Sequence, residues 1–275
     1  MNPLGGKEGP PRALPASWGQ PRAASVDIYC PSVLPVPGSD GPSNAPLGRT
    51  GVLGFCQEVI QAARARGLLV SELGRLGEYS LLHIHPKEPA VLLVAGGFHG
   101  DEVGGSLGIL RWLQTRPEPP VPVSFLPLAN PTGAALGTRE NAAGQDPNRG
   151  FVLGREAEVT TAEGVALLNG DEYLVPQEAF LTLHEARDLG GYFQAAFEDA
   201  PSRLSTALLI TGVKWFGLEK GLLEFEGKKT TFEDYLYHRG VHRAVCAEVP
   251  SKYTLEDRIT CAAELIDTAI GALTM

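Results

Sequence analysis

His99 and Glu102 form an H-x-x-E pair within Gly97-Phe98-His99-Gly100-Asp101-Glu102, a spacing that can bring an imidazole and a carboxylate to one metal ion. Catalytic zinc commonly takes two His and one Glu and leaves a fourth position for water. His184, at the end of the run Phe180-Leu181-Thr182-Leu183, supplies the missing ligand. An H-x-x-E pair alone is frequent by chance, so its meaning depends on what accompanies it. Glu248, in Cys246-Ala247-Glu248-Val249-Pro250, ends another apolar run. An unpaired carboxylate is costly to bury there, and a water activated by a metal would give it a reason.

Other residues offer competing chemistry. Gly104-Gly105-Ser106-Leu107-Gly108 matches G-x-S-x-G, the nucleophile elbow of serine hydrolases. An elbow serine sits at a sharp turn directly after a strand, whereas Ser106 falls inside a helical pattern, where the glycines are better read as close packing on a sheet. His184-Glu185 lacks the second His at i+4 that a zincin needs. His83 and His85 alternate by two on a predicted strand and share one face, as a hydrogen-bonded or exposed pair. His238 and His242 stand at helical spacing with no carboxylate or Cys in register, so they read as surface histidines.

These groups need a scaffold. Val52, Phe55, Val59, Ile60 and Ala63 recur at helical intervals until Gly67, which predicts a first amphipathic helix. Strands are predicted at 68–70, 80–84 and 91–95, the last a continuous apolar run of the kind buried on both faces. A helix over 101–114 and a strand over 121–126 follow, closed by Asn130-Pro131-Thr132-Gly133. Later come a strand at 179–184, a helix around 202–209, a strand at 243–248 and a final helix over 255–272. Alternating strands and helices imply an α/β fold: a mixed, largely parallel central sheet with helices on both faces. Ligand sites in such sheets lie beyond the carboxyl ends of the strands. His99, Asn130, His184 and Glu248 all fall at such ends. Asp101 is expected to serve the helix start rather than a metal.

The bulk properties narrow the class. The chain has 275 residues and a formal net charge of -9, with 43% hydrophobic and 20% charged residues. That fits one domain with a substantial core; residues 1–48, rich in Pro and Gly, are expected to form an irregular arm before a single catalytic domain over 49–275. An acidic chain without a basic cluster argues against nucleic acid, and no apolar run is long enough for a membrane span. Cys30, Cys56, Cys246 and Cys261 are widely spaced and read as reduced thiols. With no secretory signal pattern at the start, a cytoplasmic location is expected.

Arg139, in Gly137-Thr138-Arg139-Glu140-Asn141, and the run Asp146-Pro147-Asn148-Arg149-Gly150-Phe151 follow Asn130-Pro131-Thr132-Gly133 in order. With His99, Glu102, His184 and Glu248, this series resembles the zinc metallocarboxypeptidases of the carboxypeptidase A type. It is most similar to their short bacterial branch near the murein-peptide amidases, with succinylglutamate desuccinylase and aspartoacylase as more distant relatives. The resemblance runs from about Val91 to the C-terminus and implies a zinc carboxypeptidase-like fold. It implies one zinc ion on His99, Glu102 and His184, with Asp146 orienting a ligand imidazole. Arg139 would stabilise the oxyanion, Asn148 and Arg149 would clamp the substrate carboxylate, and Glu248 would act as general base. The substrate-capping tyrosine would be Tyr235, and the neighbouring Glu233 and Asp234 would suit a cationic substrate group. The family pattern Asp-Leu-Asn-Arg-Asn-Phe is broken here at Pro147 and Gly150.

The implied activity is zinc-dependent hydrolysis of an amide bond beside a free carboxylate, as a metallocarboxypeptidase or peptide amidase. The alternative is a deacylase of N-acyl amino acids using the same metal and base. Two further readings are a zinc-retaining binding protein without turnover and a serine hydrolase through Ser106. The expected partners are therefore a small peptide or an N-acyl amino acid.

Overall fold

The computed structural model describes residues 47–170, 174–219 and 230–274. Most of the expected N-terminal arm, and Cys30 with it, lies outside the described residues. Helix α1 (Gly48–Ala65) buries Val52, Phe55, Val59 and Ala63 along one stripe, the helical periodicity seen in the sequence. Strands β1 (Leu69–Leu76) and β2 (Tyr79–His85) form an antiparallel pair. Strand β3 (Leu92–Gly96) is buried throughout, as its unbroken apolar run requires.

Helix α2 (Val103–Thr115) follows β3, and β4 (Val123–Leu126) lies parallel to β3. Short helices α3 (Pro131–Leu136) and α4 (Ala162–Asn169) precede β5 (Ala179–Ala186) and β6 (Phe193–Phe197). Helices α5 (Arg203–Phe216) and α6 (Phe232–His238), strand β7 (Arg243–Pro250) and helix α7 (Leu255–Leu273) complete the described chain. The sheet has seven strands in the order β1-β2-β4-β3-β5-β7-β6. Its centre, β4-β3-β5-β7, is parallel, whereas β1, β2 and β6 enter antiparallel, so the sheet is mixed as expected. No described helix is long and apolar enough to cross a membrane.

Side-chain alternation divides the core between the two faces. Val94, Leu181 and Val245 pack with α1, α2, α5 and α7 on one side, while Leu93, Phe180 and Ala244 pack with α4 and α6 on the other. Helix α2 approaches both the sheet and helix α7 through glycine. A Cβ at Gly105 would stand 2.7 Å from Leu183 Cβ, and one at Gly108 would stand 2.4 Å from Ala262 Cβ. The two motif glycines are packing positions: Gly108 against Ala262 of α7, and Gly104 against Glu185 and Arg258. Ser106 lies within α2, fully buried, where no substrate reaches it, so the serine-hydrolase reading falls.

The histidine decoys resolve individually. His85 meets Ser71 Oγ at 2.9 Å and the Pro86 carbonyl at 2.8 Å. His83 departs from expectation, being buried with no hydrogen-bond partner for either ring nitrogen and stacked on His85 at 4.7 Å. Burial pushes its imidazole down to about 3, so it is neutral. His238 is half-exposed, with its Nε2 3.6 Å from Asp234 Oδ1. Cys56, Cys246 and Cys261 are free thiols.

Candidate metal centre

Strand β3 ends at Gly96, and Gly97 turns the chain with φ +66° into the loop that carries His99. Glu102 is the N-cap residue of α2, and His184 is near the end of β5, next to β3. The two imidazoles turn the same atom inward. His99 Nδ1 is 2.7 Å from Glu102 Oε1, His184 Nδ1 is 2.8 Å from Glu102 Oε2, and the two Nδ1 atoms are 3.3 Å apart. All three residues are buried. Two ring nitrogens and a carboxylate thus converge on one another, the kind of donor set that holds a catalytic metal ion.

The outward nitrogens repeat a second pattern. His99 Nε2 lies 3.4 Å from Asp146 Oδ1, and His184 Nε2 lies 3.4 Å from Glu233 Oε1. Metal-ligating histidines characteristically give their other nitrogen to a carboxylate, which fixes the ring and raises its basicity. Donor set, burial and outer carboxylates therefore all fit a metal ion, and His99, Glu102 and His184 are grouped closely enough to hold one.

Electrostatics follow from this geometry. Burial opposes charge on Glu102, yet His99 and His184 outweigh it and hold the carboxyl far below its ordinary range. Burial likewise opposes the imidazolium forms, but Glu102 and the outer carboxylates lift both histidines above their ordinary value. Metal binding here must therefore displace protons, which couples affinity to pH: it weakens as pH falls. Across the β5–β7 pairing His184 stands in register with Glu248, so the sheet puts that carboxylate on the same face as the cluster. Burial raises the Glu248 carboxyl against the opposing pull of His184.

The loop after β4 brings the arginines. Asn130 accepts a hydrogen bond from Gly133 N at 2.9 Å to cap α3, and its Nδ2 donates to the Arg139 carbonyl at 3.2 Å. The same carbonyl accepts from Gly100 N at 3.3 Å, which ties the arginine loop to the histidine loop. Arg139 NH1 then reaches Glu102 Oε1 at 3.2 Å, and NH2 lies 3.6 Å from Asp146 Oδ2. Arg149 NH2 is 3.8 Å from the same Asp146 oxygen. Both guanidinium groups are half-exposed at the mouth. Gly150 has φ +88°, a conformation that glycine adopts without strain.

Four of the expected site residues, Asn148, Tyr235, Glu233 and Asp234, are buried. Asn148 is buried, and its Oδ1 accepts from Phe232 N at 2.8 Å while its Nδ2 donates to Glu233 at 3.3 Å. It braces the loop against α6. Tyr235 is 2% exposed and packs beside Phe151 and Phe232 at ring distances of 6.1 and 6.2 Å. Glu233 and Asp234 are also buried. Glu233 lies behind His184 instead of in a specificity pocket, and a short 2.6 Å bond from Thr182 Oγ1 helps hold it. Asp101 pairs with Arg187 at 2.7 Å.

A family model described as the succinylglutamate desuccinylase/aspartoacylase catalytic domain matches residues 87–272. The chain belongs to this family. Among solved structures, a candidate metallopeptidase from Shewanella amazonensis is 29% identical, with a TM-score of 0.74 over 81% of this chain and 93% of that one. A second, from Shewanella baltica, is 27% identical, with a TM-score of 0.75 over 81% and 92%. A Burkholderia cenocepacia metallo-carboxypeptidase shares the fold at 19% identity, with a TM-score of 0.66 over 83% and 70%. No curated protein matches the chain by sequence. The desuccinylase/aspartoacylase match spans the histidine loop, the arginine loop, β5 and β7. It therefore falls on the relatives that the motifs alone placed further away.

Two carboxylates of this family member support the site from positions that no sequence spacing indicates. Glu163 on α4 accepts from Asn141 Nδ2 at 2.7 Å and Thr132 Oγ1 at 3.1 Å, and so supports the arginine loop. Glu233 is the other. Glu233→Gln is expected to weaken metal binding about 10- to 100-fold, as loss of an outer-shell carboxylate typically does. Titration of the metal-free protein against a competing chelator measures it; wild-type affinity would show that His184 needs no such partner.

Proposed function

We propose that the chain is a zinc-dependent hydrolase that cleaves an amide bond beside a free carboxylate. The convergence of His99 Nδ1, His184 Nδ1 and the Glu102 carboxylate carries this reading, since two His and one Glu form a common catalytic zinc set. One ion at that site supplies a Lewis acid able to lower the pKa of a water from 15.7 to around 7. Glu248 accepts the proton of the attacking water and returns it to the leaving amine. Burial raises its proton affinity, which suits a group that must both take and give a proton. Arg139 places fixed positive charge where the carbonyl oxygen becomes negative. Arg149, half-exposed beside it, binds the substrate carboxylate. Asp146 and Glu233 hold the two imidazoles.

The same groups serve a carboxypeptidase, a peptide amidase or a deacylase of N-acyl amino acids. The family match favours the deacylase, and the named metallopeptidase neighbours keep the peptide reading open. Treatment with 1,10-phenanthroline is expected to abolish hydrolysis, and one equivalent of zinc to restore it. Activity that survives complete metal removal would refute the proposal. A panel of N-acyl amino acids and short peptides assayed with the restored protein separates the substrate classes.

A further inference from the structure

Glu185 follows His184 on β5 and, by strand alternation, points to the opposite face of the sheet. There it meets Arg258 of α7, with NH1 2.7 Å from Glu185 Oε2. Both side chains are essentially inaccessible, and among the described residues no well-aligned hydrogen bond closes on either Glu185 oxygen or on the guanidinium. A buried ion pair with few hydrogen bonds is a poor stabiliser, because desolvation offsets most of the attraction, and apolar replacement of both partners is often neutral or favourable. Stability does not explain this pair.

Its surroundings do. Glu102 occupies the N-cap of α2, but its side chain makes no capping bond, being turned toward His99 and His184. The first turn of α2 contains no acidic residue, so its free N–H groups lack the usual acceptor. Glu185 fills that space. A Cβ at Gly104 would fall 2.0 Å from Glu185 Oε1, so the carboxylate lies directly against the backbone of the helix start. The Glu185 backbone N–H also donates to Glu102 Oε2 at 3.2 Å. One residue thus contacts the helix start that Glu102 leaves uncapped and, through its backbone, the Glu102 carboxylate itself.

We propose that Glu185 and Arg258 form a positioning pair that holds the start of α2, and with it the Glu102 carboxylate, in place for metal binding. Arg258 anchors Glu185 from α7, and Gly104 leaves room for the carboxylate against the helix backbone. The pair touches neither metal nor substrate, so its effect falls on metal affinity. This inference rests on the metal centre proposed above.

The test is zinc titration of the metal-free full chain against a competing chelator, with circular dichroism and thermal unfolding of the same metal-free samples. The double variant E185M/R258M is expected to keep the fold and a thermal midpoint near that of the wild type, yet to bind zinc about 10- to 100-fold more weakly. E185Q keeps the shape and an oxygen facing Gly104, and is expected to show a smaller but measurable loss. Wild-type zinc affinity in either variant that folds overturns the proposal. The wild-type titration separates the two levels of inference. Failure to bind one zinc there overturns the metal centre as well, whereas normal wild-type binding with unchanged variants overturns the positioning pair alone.

Discussion

Glu248→Gln is expected to lower kcat by about 10²- to 10⁴-fold, the usual contribution of a positioned general base, while zinc content stays at the wild-type level. The substitution keeps the shape of the side chain and removes its ability to take a proton. Glu248 is paired in register with His184 across β5 and β7, so the sheet sets its position and the amide should occupy the same space. Its environment also predicts a pH signature. Burial raises its proton affinity even against His184, and a base must be deprotonated to act. The acid limb of kcat/KM should therefore lie above the ordinary Glu range, with activity lost as pH falls through it, and residual E248Q activity should lack that limb. Metal analysis beside steady-state kinetics decides the matter: undiminished turnover removes Glu248 from the role, and lost metal reassigns it to the ligand sphere.

The parts of the site that were legible in the sequence are those whose chemistry is local. His99 and Glu102 lie on one short loop, and the apolar runs before His99, His184 and Glu248 read as buried strands whose carboxyl ends meet at one edge of a parallel sheet. The supporting groups were not legible because their meaning lies in contacts between distant segments. Glu233 reads as a group suited to a cationic substrate, yet α6 packs it against Thr182 and behind His184. Asn148 fits a clamp motif, and only the neighbouring backbone of Phe232 shows that its carboxamide also braces α6. Strand β6, Phe-Gln-Ala-Ala-Phe, has no β-branched residue and no clean alternation, since it is a partly covered edge. Helix α6 is too short to show a period and depends on the Thr231 cap.

Arg139→Met is expected to reduce kcat and kcat/KM together, by about 10²- to 10³-fold, the scale seen when a fixed donor to a developing oxyanion is removed. Parallel loss is the mark of an interaction made in the transition state and absent from the ground state. The scaffold supports that assignment, because the Arg139 carbonyl is held by both Gly100 N and Asn130 Nδ2, so the loop stays in place when the side chain is changed. The guanidinium faces Glu102 at 3.2 Å and Asp146 at 3.6 Å, at the mouth of the cluster, where a substrate carbonyl approaching a metal would meet it. Arg139→Lys keeps the charge without the planar fork and should recover only part of the loss. Arg149 gives the contrast, since a group that binds substrate and transition state equally changes KM and leaves kcat largely intact when removed. Measuring both variants on one substrate separates the roles: if Arg139→Met raised KM alone, Arg139 would be a second carboxylate anchor, and charge stabilisation would have to come from the metal.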